Sequence, residues 1–255
     1  LKEAGSLQTI VMVGQQLPDS TNWSVMLEKG AAITDEELEA RSSKVNVEDR
    51  MMLAYTSGTT GHPKGVVHCH KPVRNTYERA MLLGHNRNDV HMSYLPLFHA
   101  YGFSEVAMMA GLTGGSQVLF DVFEPNEVLD AVEAEGGTVL HGFDSHWADL
   151  IRSQQQAERD VSSLRVGTLP AGMESTIPIA RQAQDIFCPT TSGFGMSESW
   201  AFIASSHITD SLEQRTEASG YPMYGIEFEI RDLENGSVLA ANETGALHVR
   251  GYTVT

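Results

Sequence analysis

The sequence predicts an α/β fold: a parallel sheet flanked by helices, leading into the start of an antiparallel β subdomain. Strand-like and helix-like stretches alternate from about residue 90 to residue 187, the order that builds a parallel sheet covered on both faces. The strand-like stretches are short apolar runs, as expected of strands buried from both sides. After about residue 205 the rhythm changes. Ile226 to Arg231 alternates apolar and charged residues, Asn235-Gly236 is a hairpin signal, and Ala246 to Arg250 offers a partner strand. The expected division is 1–205, an α/β subdomain, and 206–255, the start of a β-rich one.

Leu7 to Val13 reads as a strand, and Thr34 with Glu37 makes a capping box for a short helix through Leu38 to Arg41. Met51 to Tyr55 is an apolar run that reads as a buried strand. Lys71 to Leu83 follows as a helix, Val90 to Leu95 as a strand, Phe103 to Leu112 as a helix and Gln117 to Phe120 as a strand. Pro125 to Glu135 is a helix that begins with proline, whose missing N–H is harmless in a first turn. Thr138 to His141 is a strand, Ser145 to Gln155 a helix, Leu164 to Leu169 a strand and Ile177 to Phe187 a helix. Ser205 to Ser219 is polar and reads as a loop.

The chain has 255 residues, enough for a large core, and an ordinary apolar content of 41%. It carries 33 acidic against 17 basic side chains, a formal charge of −16. That balance argues against nucleic acid as a partner, because such binding rests on neutralising phosphates. Any polyphosphate site must then make its own local positive field. Two cysteines, Cys69 and Cys188, are no disulfide framework. No signal peptide or membrane-spanning run is visible, so a cytoplasmic location is expected. The ends, Leu1 and Thr255, lack the polar taper of free termini, and a piece of a longer protein is expected.

The chemistry concentrates in Tyr55-Thr56-Ser57-Gly58-Thr59-Thr60-Gly61-His62-Pro63-Lys64-Gly65. Glycines let the backbone turn sharply and approach a bound group, and successive N–H groups in such a turn form an anion-binding hollow. Ser and Thr hydroxyls donate to phosphate oxygens, and Lys64 adds a point charge. The widespread Gly-x4-Gly-Lys-Ser/Thr loop is excluded, since Pro63 falls where its second glycine belongs and Gly65 follows Lys64. Further on, Leu95-Pro96-Leu97-Phe98-His99-Ala100-Tyr101-Gly102 and Thr168-Leu169-Pro170-Ala171-Gly172-Met173 both lie at strand ends, where open parallel sheets bind ligands. In Gly193-Phe194-Gly195-Met196-Ser197-Glu198 an aromatic face, a hydroxyl and a carboxylate follow one another. These suit a base, a phosphate and Mg²⁺ in turn. The last stretch is neither a dinucleotide fingerprint nor a nucleophile elbow, because Glu198 and Ser199 stand where glycines are required. His68-Cys69-His70 has no second cluster at zinc-type spacing, and the methionines read as core filling.

On these motifs the chain resembles the adenylate-forming (ANL) superfamily, which includes acyl-CoA synthetases, luciferases and peptide-synthetase adenylation domains. Residues 55–65 match that family's Tyr/Phe-Thr-Ser-Gly-Thr-Thr-Gly-x-Pro-Lys-Gly throughout. Leu95 to His99 is similar to its Leu-Pro-x-Phe-His motif, and Phe194 to Glu198 to its Tyr-Gly-x-Thr-Glu. Gly220-Tyr221-Pro222 and Gly245-Ala246-Leu247 resemble later segments, with Ala246 in place of the usual Glu. The resemblance implies that Thr56, Ser57, Gly58, Thr59, Thr60, Gly61 and Lys64 hold the ATP phosphates. It implies that Ala171, Gly172, Met173, Phe194, Gly195, Met196 and Ser197 receive the AMP part, and that Glu198, with Thr56, holds Mg²⁺. His99, Tyr101, Gly102 and Phe143 would flank the carboxylic acid, and Ser197, Glu198, His99 and Lys64 would act in catalysis. The turn Gly142-Phe143-Asp144-Ser145 would run along the acyl pocket, and Asp144 or Ser145 could equally serve there as a helix cap.

The implied reaction joins a carboxylic acid, fatty or otherwise apolar, to ATP as acyl-AMP with release of pyrophosphate, and then to CoA as a thioester. Two readings stay open beside it: an adenylating enzyme that loads a carrier protein or oxidises its product, and a nucleotide-binding module without turnover. The family's ribose-binding Asp and mobile C-terminal domain would lie beyond residue 255. The 255-residue chain by itself is therefore expected to be inactive.

Overall fold

The structure, a computed structural model, describes residues 8–14, 17–56 and 62–255. Chain contacts divide it into two compact units, Leu1–Asp49 and Arg50–Thr255.

In the first unit, strands β1 (Val11–Met12) and β2 (Thr21–Asn22) pair in parallel. Helix α1 (Trp23–Gly30) starts where the Asn22 side chain accepts from the Ser24 N–H at 3.0 Å. Helix α2 (Asp35–Ser42) carries the expected capping box: the Glu37 N–H donates to Thr34 Oγ1 at 3.2 Å and the Thr34 N–H donates to Glu37 Oε2 at 3.0 Å. The expected strand from Leu7 shrinks to two residues, and Leu7 lies outside the described residues.

The second unit opens with a hairpin of β3 (Arg50–Thr56) and β4 (Lys64–Cys69), in which Thr56 faces Lys64. The predicted strand exists, but it is not buried as expected. Only Ala54 along it is buried, while Leu53 and Tyr55 are exposed. The reason is its partner: among the described residues β3 pairs with β4 alone, outside the large sheet, and so has one covered face.

Then come α3 (Val73–Leu82), β5 (Val90–Ser93), a π-helix (Tyr101–Met108) running into α4 (Met109–Thr113), β6 (Ser116–Leu119), α5 (Pro125–Glu135) and β7 (Val139–His141). They are followed by α6 (Asp144–Gln156), β8 (Val166–Thr168), α7 (Ile177–Ile186) and β9 (Thr190–Thr191). The five strands form one parallel sheet in the order β6-β5-β7-β8-β9.

The sheet's two faces differ in chemistry. Met92 and Leu140 belong to a large apolar cluster with Val128, Leu129, Trp147 and Leu150 of α5 and α6. The alternate residues Val139 and Val166 face Ala80 of α3, Leu83 just after it and Met109 of α4. The same parity carries His91, Ser93, His141 and Thr168, all buried. Into that layer α3 and the π-helix bring Arg79 and Glu105, joined at 2.7 Å with side chains 1% and 0% exposed. Burial pushes the Glu105 carboxyl up, against the pull of Arg79.

After β9 the chain forms β10 (Gly193–Met196), a 3₁₀ turn (Ser197–Ser199) and β11 (Ala201–Ser205), then α8 (Leu212–Glu217) and β12 (Tyr221–Pro222). These three strands make an antiparallel sheet in the order β10-β11-β12. Helix α8 falls inside the stretch expected as loop, where Ser211 and Gln214 form a capping box. The chain ends in an antiparallel pair, β13 (Ile226–Arg231) with β14 (Ala246–Gly251). Among the described residues no helix is long and apolar enough to cross a membrane.

Candidate active site

The chain leaves β5 for β6 on one side and returns to β7 on the other, so the strand order reverses between β5 and β7. Open parallel sheets bind ligands beyond the carboxyl ends of their strands at such a reversal. Here a cavity of about 610 Å³ lies there. His99 and Tyr101 reach it from the segment after β5, and Phe143 from the turn after β7. Ala171, Gly172 and Met173 come from the loop after β8, and Phe194, Gly195, Met196 and Ser197 from β10 and its 3₁₀ turn. Ten of the expected site residues thus meet in one space.

Aromatic rings shape one wall. Tyr101 stands edge-on to Phe143 and to Phe202, each with centroids 5.0 Å apart, and His99 stands edge-on to Phe143 at 6.2 Å. The Tyr101 hydroxyl points away from the cavity. It shares a hydrogen bond with Thr168 Oγ1 at 2.5 Å, and that same oxygen meets His141 Nδ1 at 2.8 Å. Burial pushes the Tyr101 phenol above its ordinary range. Tyr101 therefore offers its ring, not its hydroxyl, to whatever lies in the cavity. Beside it, the Trp147 indole N–H donates to the carbonyls of Gly142 and Thr168 at 3.2 Å each, tying together the ends of β7 and β8 that the cavity opens upon.

Gly102 is not on the cavity wall. A Cβ at Gly102 would stand 2.4 Å from the Pro96 carbonyl oxygen, so glycine lets the π-helix pack on the strand exit that carries His99. Its position supports a packing role in place of the expected contact with the acid.

Thr56 and Lys64 face each other across the β3–β4 hairpin. The residues between them expected to hold phosphate, Ser57, Gly58, Thr59, Thr60 and Gly61, lie outside the described residues. The hairpin reaches the 3₁₀ turn through His68: its Nε2 meets the Ser197 carbonyl at 2.7 Å, and its ring stands edge-on to Trp200 at 5.0 Å. Since a carbonyl only accepts, this assigns the proton to Nε2 and leaves Nδ1 bare. Glu198 is exposed at the tip of the turn, where its backbone carbonyl accepts from the Thr255 N–H at 3.2 Å.

Burial lowers the His68 pKa, against the pull of the Ser197 carbonyl. The unfolded chain takes up a proton at this ring near pH 6.5, and the folded chain resists it. His68 thus supports the fold fully above pH 6.5 and less as the pH falls, by at most about 1.4 kcal/mol per pH unit. Replacing His68 by Gln, which keeps a donor for Ser197, is expected to flatten the pH dependence of the urea midpoint between pH 7 and 5. An unchanged slope would remove His68 from the account.

Trp200 and Ala201, next after the turn, sit in the left-handed region at φ 68° and 62°. This conformation is unfavourable for side chains with a Cβ, by roughly 1–2 kcal/mol per residue. Burial of Trp200 holds it in place, with the indole N–H donating to Thr76 Oγ1 at 2.9 Å. The reversal turns β11 back along β10 and places Ala201 and Phe202 on the cavity wall, beside Ala100, Pro170, Gly193 and Ser219. None of these six was expected at the site. Ala100, Pro170 and Gly193 lie within or next to the motifs, whereas Ala201, Phe202 and Ser219 arrive only through tertiary folding.

Solved structures share this fold. O-succinylbenzoate coenzyme A synthetase (MenE) of Bacillus subtilis in complex with AMP is 27% identical, with a TM-score of 0.71 over 82% of this chain and 42% of that one. The same enzyme has been solved with ATP and magnesium ion. A family model described as AMP-binding enzyme matches residues 2–255, and the chain belongs to that family. Acyl-CoA ligase sidI of Aspergillus fumigatus is 27% identical over 100% of this chain and 44% of its own length. The probable CoA ligase CCL5 of Humulus lupulus is 30% identical over 99% and 47%. The chain thus spans a little under half the length of these curated relatives.

Proposed function

We propose that the protein is an AMP-forming acid–thiol ligase, which activates an apolar carboxylic acid with ATP and passes the acyl group to CoA. The observation that carries this reading is the cavity where the residues after β5 and β7 meet those of β10 and the loop after β8. Its walls suit two ligands side by side. Phe194 offers an aromatic face for a base, and Tyr101, Phe143 and Phe202 give an apolar wall for an acyl chain. The names of the relatives, acyl-CoA and CoA ligases, support CoA as the acceptor.

In this reading the residues from Thr56 to Lys64 would hold the β- and γ-phosphates, and Ser197 would meet the α-phosphate. The exposed carboxylate of Glu198, with Thr56, would hold Mg²⁺, which prefers a few carboxylate or hydroxyl oxygens, keeps several waters and would supply charge neutralisation on the phosphates. The protein's own work is positioning: His68 fixes the Ser197 backbone to the hairpin whose second strand starts at Lys64, so phosphate and base contacts share one frame. His99 and the ring of Tyr101 line the acid's approach. In this reading residues 1–205 belong to the part that binds ATP and acid, and residues 206–255 begin the β-rich part. The 255-residue chain alone is expected to release no pyrophosphate, and release would end that part of the reading.

An ATP–pyrophosphate exchange screen of the whole protein over acids of varied chain length, followed by a CoA-thioester assay, tests the proposal. Exchange without thioester would favour a carrier protein as acceptor, and failure with every aliphatic acid would remove the apolar substrate. Lys64→Ala is expected to lower exchange about 10²-fold, the usual loss on removing one preorganised charge partner. Full activity in that variant would overturn the assignment of the loop.

A further inference from the structure

The loop after β8, whose Ala171, Gly172 and Met173 line the cavity, leaves the sheet where the pairing of β8 with β9 ends. The last bond of that ladder runs from the Leu169 N–H to the Thr191 carbonyl at 2.9 Å. Pro170 has no N–H to continue it. The next anchor comes from a side chain. Ser192 Oγ accepts from the Ala171 N–H at 2.9 Å and donates to the Ala171 carbonyl at 3.3 Å. One hydroxyl thus serves both main-chain groups of a single wall residue. Beyond it Gly172 turns at φ 111°, and the Met173 carbonyl accepts from the Thr176 N–H at 2.9 Å and from its hydroxyl at 2.8 Å.

Ser192 is itself held. It stands between β9 and β10, where its N–H donates to Ser206 Oγ and its carbonyl accepts from the Ser206 N–H, each at 2.9 Å. Ser192, Ser206 and Ala171 are 2%, 1% and 8% exposed, and hydrogen bonds in so dry a place are costly to leave unmade. Ser192 also leads directly into Gly193 and Phe194, which line the cavity from β10. The loop after β8 and the strand that carries Phe194 therefore meet at one buried side chain behind the wall.

We propose that Ser192 is a positioning residue for the nucleotide: its hydroxyl sets the spacing between the Ala171–Met173 loop and Phe194, and with it the affinity for AMP and ATP. The inference rests on the ligase reading above, in which these two walls receive the AMP part. Without the hydroxyl, the Ala171 N–H and carbonyl lose their partner and the loop loses its anchor between Leu169 and Met173. The acid's wall is built from other contacts: Tyr101 packs on Phe143 and Phe202 and is tied to Thr168. Loss of the Ser192 hydroxyl thus weakens the nucleotide and leaves the acid alone.

Calorimetric titration of the whole protein with AMP, and exchange kinetics with ATP and acid varied in turn, test this. Ser192→Ala is expected to bind AMP about 10-fold more weakly and to raise the KM for ATP by a similar factor, with the KM for the acid within about twofold of the parent. Ser192→Thr, which keeps the hydroxyl, should recover most of the AMP affinity. A residue that only supports the fold would lower Tm and produce no such split. Should Ser192→Ala fail to fold, Ser206→Ala decides the matter: it keeps the Ser192 hydroxyl but frees the Ser192 N–H, and AMP binding about threefold weaker is expected. Unchanged AMP affinity in the folded variant, equal rises in both KM values, or a Ser192→Thr protein as weak as Ser192→Ala would overturn the proposal while the ligase reading stands. A parent protein that binds no AMP would overturn that reading and the proposal with it.

Discussion

Gly195→Ala is expected to destabilise the fold by about 3 kcal/mol or more and to deform the cavity. A Cβ at this position would stand 1.5 Å from the backbone oxygen of Ala201 and 2.2 Å from its carbonyl carbon. No rotamer change relieves a clash with backbone. Gly195 pairs with Phe202 across β10 and β11, just past a register shift after Phe194, and the reversal at Trp200 and Ala201 sets how close the two strands come. The substitution must therefore spread β10 from β11, moving Phe194 on one side and Phe202 on the other. A fall in the urea midpoint together with weaker AMP binding is the expected pair of results. Gly30→Ala is the control: it ends α1 with nothing within 4 Å of the added carbon, so it should be neutral or slightly stabilising. A Gly195→Ala protein as stable as the parent would show that the two strands are not this close.

Arg79→Met should be comparably severe, at about 3–5 kcal/mol. It removes the partner of Glu105, whose side chain is 0% exposed and which otherwise, among the described residues, has only the Ser104 hydroxyl, at 3.4 Å. It also removes the guanidinium lying 4.6 Å over the Phe202 ring, a wall of the cavity. The double variant Arg79→Met, Glu105→Leu leaves no orphaned charge and should regain most of the loss, so chemical denaturation of the four proteins in the cycle separates the pair from its packing. An Arg79→Met protein within 1 kcal/mol of the parent would contradict the buried pair.

Much of this architecture could be read in advance, and the parts that could not share physical causes. Helix α5 matches its expected bounds because proline marks its start and Gly136, in the left-handed region, its end. The parallel sheet was legible because its strands are apolar runs between helices with their own start signals. The cavity was legible in outline because the motifs stand at strand ends, and strand ends of one parallel sheet share an edge. Strands β10 and β11 were not legible: Gly193-Phe194-Gly195 has little strand character, and the tight reversal uses Trp200 and Ala201 in a conformation that neither prefers. The exposure of β3 depends on its exclusion from the large sheet, which no local run encodes. The inward turn of the Tyr101 hydroxyl depends on Thr168, and the ring contact of buried His85 with His141 joins distant stretches; neither is a property of a short stretch.

The unequal faces of the sheet have a bearing on how the chain finds its alignment. Sliding one central strand by a single residue would turn His91 or His141 toward the Trp147 side and push Met92 or Leu140 against Arg79 and Glu105. An all-aliphatic sheet would tolerate such a misalignment at modest loss, since either side would still bury hydrocarbon. Here a misaligned β5 or β7 strands imidazole in oil and oil beside charge. The buried polar layer thus acts as a tooth pattern that admits one alignment of these two central strands and rejects its neighbours.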